Sequence, residues 1–123
     1  AGSAIVGTPV TFAQMLVGSY DVRWDWDATQ GLFLRSQLGT PHELTEGRAS
    51  TDNVVVLVHD APGQSVGTGA AVVYTDGHKI EGIWRRDQAT DPFILEAGGL
   101  PILLAPGRTW VELVDQQHNL TDG

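Results

Sequence analysis

The sequence predicts an all-β domain: a mostly antiparallel sheet of about seven to nine short strands, curled into a barrel or a sandwich, with helix a minor component. Three observations carry this expectation. Apolar residues alternate with polar ones over several short stretches, as in YDVRWDWD at 20 to 27. Turn signals recur at intervals of about 8 to 12 residues. Fifteen Gly and six Pro in 123 residues interrupt the chain too often for sustained helical periodicity.

The length is that of a single domain, residues 1 to 123, large enough for a hydrophobic core without disulfide or metal staples. Net charge is -8, with fifteen Asp and Glu against seven Lys and Arg. That balance repels a phosphate backbone, so nucleic acid is not an expected partner, and it disfavours an anionic membrane surface. With no Cys, thiol catalysis and thiolate zinc sites are excluded. No segment approaches the roughly 20 apolar residues of a helical membrane span.

The first element, within FAQMLVGSY at 12 to 20, reads as a strand from Val10 to Val17, with a short helix as the alternative. Next, Tyr20, Val22, Trp24 and Trp26 alternate with Asp21, Arg23, Asp25 and Asp27, and LFL at 32 to 34 resumes after DATQG, which predicts a β-hairpin. The same stretch places Asp25, Asp27 and Thr29 at the spacing of calcium-loop ligands. Against that reading, the twelfth position, where a bidentate glutamate belongs, is Ser36. Asp27 and Thr29 are expected to cap the turn, with Gly31 at positive φ.

Residues 36 to 52 read as a polar surface loop, and VVVLV at 54 to 58 as a central strand covered on both faces. A second, Gly-rich loop spans 59 to 69. Its Gly67 and Gly69 fit a bulge at a strand start better than a phosphate cradle, because strand-like AAVVYT follows rather than a helix. Asp76-Gly77 marks a type I′ hairpin turn, with Val72 and Tyr74 expected to face the same way as Ile80 and Trp84, and Gly82 making room for a bulge or a large neighbour such as a Trp ring. Two short strands flank Gly98-Gly99, a Pro-Gly turn leads into a last strand ending at Val114, and residues 115 to 123 are expected to form a flexible tail.

Catalytic signals are sparse. His42, His59, His78 and His118 lie far apart without helical ligand spacing, so no metal or cofactor is expected. His42, and His59 with Asp60, occupy the two long loops. A hydrolase would draw on these, the best set being Ser65 or Ser36 with His59 and an Asp, but Ser65 has no nucleophile-elbow context. The Trp and Arg residues together fit an anionic peptide or glycan surface. Against this, Trp84 and Trp110 read as core, while Trp24 and Trp26 fit either role.

The ordered set YDVRWDWDATQGLFLR, PH, NVVVLV, GTGAAVVYTDGHKIEGIWRR and PGRTWVELV, spanning residues 20 to 114, resembles the C-terminal domain of the YerB-like lipoproteins, domain of unknown function 3048. The segment AQMLVGS departs from that pattern. The resemblance implies an exported bacterial protein, held outside the cytoplasmic membrane by a lipid anchor that lies beyond this chain, as does a larger N-terminal domain. It implies no known enzyme. Among the matching positions, Arg35, His42, Asn53 and Thr109 are polar and have no evident folding role, which makes them the candidate ligand-binding residues; no catalytic residue is assigned. The implied function is an accessory or binding domain of the cell envelope, recognising a protein partner or a cell-wall component through the loops at 36 to 52 and 59 to 69. An envelope hydrolase using His42 or His59 is the alternative.

Overall fold

A computed structural model describes residues 7 to 18, 20 to 44, 47 to 58, 66 to 115 and 119 to 123. It is all-β, with two facing sheets and no closed barrel. The first strands are β1 (Thr8–Pro9), β2 (Phe12–Val17), β3 (Tyr20–Asp27) and β4 (Leu32–Gln37). Four two-residue strands follow: β5 (Thr40–Pro41), β6 (Glu43–Leu44), β7 (Gly47–Arg48) and β8 (Ser50–Thr51). The central strands are β9 (Asn53–Val58), β10 (Gly67–Thr75) and β11 (His78–Arg86). The chain closes with β12 (Ile94–Ala97), β13 (Leu100–Pro101), β14 (Thr109–Val114) and β15 (Leu120–Asp122).

One sheet runs in the order β13-β12-β11-β10-β9-β14, with β1 joined to β11; the other runs β15-β2-β3-β4-β5, with β8 joined to β4. All pairings are antiparallel except β9 with β14, which is parallel. Alternation builds the interior. Val22, Trp24 and Phe33 from one sheet meet Val54, Val56, Val72, Tyr74 and Val114 from the other in a single core cluster. The opposite face of β9, through Val55 and Leu57, joins a second cluster with Val73, Ile80 and Trp84, covered by Phe93, Leu95 and Ile102. All six residues of β9 are buried, which explains a run that is apolar on both faces.

The first hairpin is capped as its turn chemistry dictates. Asp27 Oδ1 accepts from the backbone N–H of Thr29 (2.9 Å) and Gln30 (3.2 Å), and Gly31 adopts φ +66°. Asp25 lies in β3, ion-paired with Arg23 at 2.9 Å. Of the stretch expected as strand from Val10 to Val17, Phe12–Val17 form β2, and none of it is helix.

Four expectations are corrected. Residues 36 to 52 are not plain loop, since β5 and β8 pair with β4, and β6 with β7. Tyr20, placed by alternation with the inward residues, is 52% exposed at the outer end of β3. In the β10–β11 hairpin the partners are Val73↔Ile80 and Gly69↔Trp84, while Val72 and Tyr74 oppose Glu81 and Lys79. A two-residue turn joins Thr75 to His78, and that register sends Val72 and Tyr74 to the face opposite Ile80 and Trp84. Finally, the expected tail supplies β15, whose residues pair with Ala13, Gln14 and Met15, and Asp122 accepts from Tyr74 Oη at 2.8 Å.

Two glycines make room, as expected of Gly in a strand. A Cβ on Gly82 would collide with the Glu96 carbonyl, so the close neighbour is strand β12 rather than an indole. At Gly69 a Cβ would come within 2.5 Å of Trp84 Nε1, which donates to the Val58 carbonyl at 2.9 Å.

Candidate functional site at the open edge of the sandwich

Strand β3 places Trp24 directly opposite Arg35 of β4, on the face that looks at the other sheet. From that sheet, β14 turns Trp110 and Glu112 the same way, in register with Val54 and Val56 of β9. Edge strand β14 and the facing sheet therefore meet with a cation and an anion between them. Arg35 and Glu112 are 6% and 4% exposed, and Arg35 Nε donates to Glu112 Oε2 at 3.1 Å. Trp24 Nε1 donates to the same oxygen at 3.0 Å. A buried pair of this kind needs such added hydrogen bonds to offset the cost of desolvating two charges.

The other side of the guanidinium is also engaged. Arg35 Nη1 reaches Gln37 Oε1 at 2.8 Å and His42 Nδ1 at 2.9 Å. A guanidinium can only donate, so His42 Nδ1 accepts and its Nε2 carries the imidazole proton. Arg35 Cζ lies 5.0 Å from the centroid of Trp110 and 5.8 Å from that of Trp24, within cation–π range of both indoles. Trp110 meets Trp24 edge to face at 5.2 Å and His42 at 6.1 Å. Trp110, His42 and Gln37 are each half-buried and form the outer skin of the cluster.

His42 is held there by the backbone. Its N–H donates to the Arg35 carbonyl at 3.0 Å, and its own carbonyl accepts from Ala49 at 2.7 Å. Arg48 adds a clamp, Nε to the Arg35 carbonyl at 2.9 Å and Nη2 to Ser36 Oγ at 3.0 Å.

The candidates Asn53 and Thr109 belong to a second network, which fixes the chain entering β14. Asn53 Nδ2 donates to the Ala105 carbonyl (2.9 Å), the Arg108 carbonyl (3.3 Å) and Thr109 Oγ1 (3.3 Å). Its Oδ1 accepts from Thr75 Oγ1 at 2.7 Å and Ala105 N–H at 2.9 Å. Every amide valence is used in joining β9, β10 and the 105–108 turn, so Asn53 has the folding role that its sequence position alone left unexplained. The two networks meet where Thr109 and Trp110 are consecutive. His59, Asp60, Ser65 and His118 lie outside the described residues. Among the described residues no group of three or more His, Asp or Glu converges as a metal site would.

Residues 11–111 match the family model described as the C-terminal domain of a protein of unknown function, DUF3048. The chain belongs to this family. Its fold is similar to that in the crystal structure of YerB protein from Bacillus subtilis, with a TM-score of 0.78 at 16% identity, covering 98% of this chain and 46% of that one. The chain thus spans less than half the length of the YerB chain. At this identity the likeness establishes the fold that the two share. No curated protein matches the chain.

Within this DUF3048 domain, the residue that sequence reasoning passed over is Glu112. Its signal was present: in TWVELV it stands two positions from Trp110, so an indole turned inward carries the carboxylate inward too. Gln37 is legible in the same way, two residues beyond Arg35 on one strand face.

Proposed function

We propose that this DUF3048 domain is a non-catalytic binding module of an exported, lipid-anchored envelope protein, and that it recognises a protein partner or a cell-wall component at the edge formed by Trp110, His42 and Gln37. The observation that carries the reading is the Arg35–Glu112 pair, buried and cross-linked to both indoles beneath half-buried Trp110 and His42. Such an arrangement holds an aromatic and polar surface rigid before any ligand arrives, which lowers the ordering cost of binding. An indole held in this way suits stacking by a glycan ring or by an apolar side chain of a peptide.

The same geometry weighs against a hydrolase built on His42. A catalytic imidazole is oriented by an acceptor on Nδ1 so that Nε2 is free to take a proton. Here Nδ1 faces a donor, Nε2 already carries the proton, and among the described residues no hydroxyl or carboxylate bonds to the ring.

Binding of envelope extract and of soluble peptidoglycan fragments to immobilised protein tests the reading, with Trp110→Ala and His42→Ala as variants. The expected result is binding by the wild type, weakened at least about tenfold in Trp110→Ala, with no turnover of the fragments. Turnover abolished by His42→Ala would overturn it in favour of the hydrolase.

A further inference from the structure

Sheet edges expose unpaired backbone donors and acceptors, and proteins protect them with short strands, Pro or charge. Five edges of this sandwich are protected in that way. β1 (Thr8–Pro9), β5 (Thr40–Pro41) and β13 (Leu100–Pro101) are two residues long and each contains Pro, while β8 and β15 have two and three residues. The remaining edge, β14, runs six residues as TWVELV, with no Pro, and its single charge, Glu112, is turned inward and neutralised by Arg35. It has β9 on one side and no strand on the other among the described residues. Val111 and Leu113 project from it, 47% and 51% exposed.

We propose that β14 is a docking edge for an extended peptide of a partner protein, which adds as a further strand with apolar side chains beside Val111 and Leu113 and basic residues flanking them. This rests on the binding-module reading and names its partner class. Strand addition draws affinity from main-chain hydrogen bonds and specificity from alternate side chains. On its inner face the added strand would border Trp110 and, through it, His42, so one ligand would engage the edge and the aromatic surface together. Charge selects the occupant. The chain carries -8 overall; at the strand itself exposed Arg108 precedes β14 and exposed Asp115 follows it, so the attraction for lysine comes from the net charge and from the Asp115 end. A second copy would bring like charge to the edge, whereas a lysine-flanked segment is attracted.

The test uses the 123-residue chain and a panel of eight-residue peptides in which valine, isoleucine or phenylalanine alternates with threonine between paired lysines. Amide hydrogen exchange and NMR shifts are the readouts. At least one lysine-flanked peptide is expected to protect the β14 amides that point away from β9, while glutamate-flanked versions do not. Val111→Lys/Leu113→Lys, which charges the edge on a solvent-facing surface, should weaken binding at least about tenfold with unchanged circular dichroism. The proposal is overturned by absent protection across the panel, by equal binding of the glutamate-flanked peptides, or by a concentration-dependent dimer of the unliganded chain that Val111→Lys/Leu113→Lys abolishes. If envelope ligands still bind the wild type while β14 stays unperturbed, the docking edge fails and the binding-module reading stands.

Discussion

Arg35 and Glu112, 77 residues apart in the chain, form an ion pair at 3.1 Å between the two sheets, with both side chains at least nine-tenths buried. The pair belongs to neither sheet alone, so its geometry reports how the two sheets sit on each other. Everything exposed at the candidate site, Trp110 and His42 included, rests on it.

Removing one partner should therefore cost far more than removing both. Glu112→Ala strands a buried guanidinium and is expected to lower unfolding stability by about 3–5 kcal/mol, whereas Arg35→Met/Glu112→Leu, which leaves no charge, should recover most of the loss. Urea denaturation with unchanged m-value checks this.

Alkaline pH should loosen the contact between β15 and the facing sheet. Burial first, then the hydrogen bond to Asp122 and the charges of Asp122 and Glu81, hold the Tyr74 hydroxyl well above its ordinary value of 10.0. The hydrogen bond to Asp122 raises Lys79 as well, opposed by burial and aided by Glu81. Both groups keep their protons more firmly folded than unfolded. Their contribution is thus complete below about pH 10 and declines as pH rises beyond it. Stability measured from pH 8 to 11 should fall more steeply in the wild type than in Tyr74→Phe.

Gly69→Ala should destabilise by about 1–3 kcal/mol, because the new methyl overlaps the Trp84 indole and the Val58 carbonyl that it bonds. A lowered Tm together with a displaced Trp84 indole N–H resonance checks both halves of the claim. Loss of stability without movement of that resonance would place the strain elsewhere.

Asp27→Ala should cost about 1 kcal/mol, since it removes the acceptor that caps the first hairpin turn. The effect is expected to be the same with and without calcium. A folded-state ion would stabilise by mass action, so a Tm that rises at millimolar calcium in the wild type but not in Asp27→Ala would reverse the assignment of this stretch.

The strands were legible in the sequence wherever one face is apolar, because period-two alternation is a local property that the pleat converts directly into inside and outside. Val22 and Trp24, the fully buried run at 54 to 58, the Asp76-Gly77 turn and the room left at Gly82 follow from it. The singling out of Arg35, His42, Asn53 and Thr109 came instead through the family likeness. What alternation cannot carry is which face meets which. The inward placement of Arg35 had no meaning until β14 supplied Glu112, and Asn53 lacked a role until the 105–108 turn closed over it. Nor does a polar ending such as NLTDG announce β15, whose pairing with β2 joins the two ends of the chain and whose hydrogen bond to Tyr74 spans 48 residues. Alternation is settled between neighbours two residues apart. Register between sheets, and hence the site and its unguarded edge, is settled only when distant segments bury one another's surface and satisfy one another's charges.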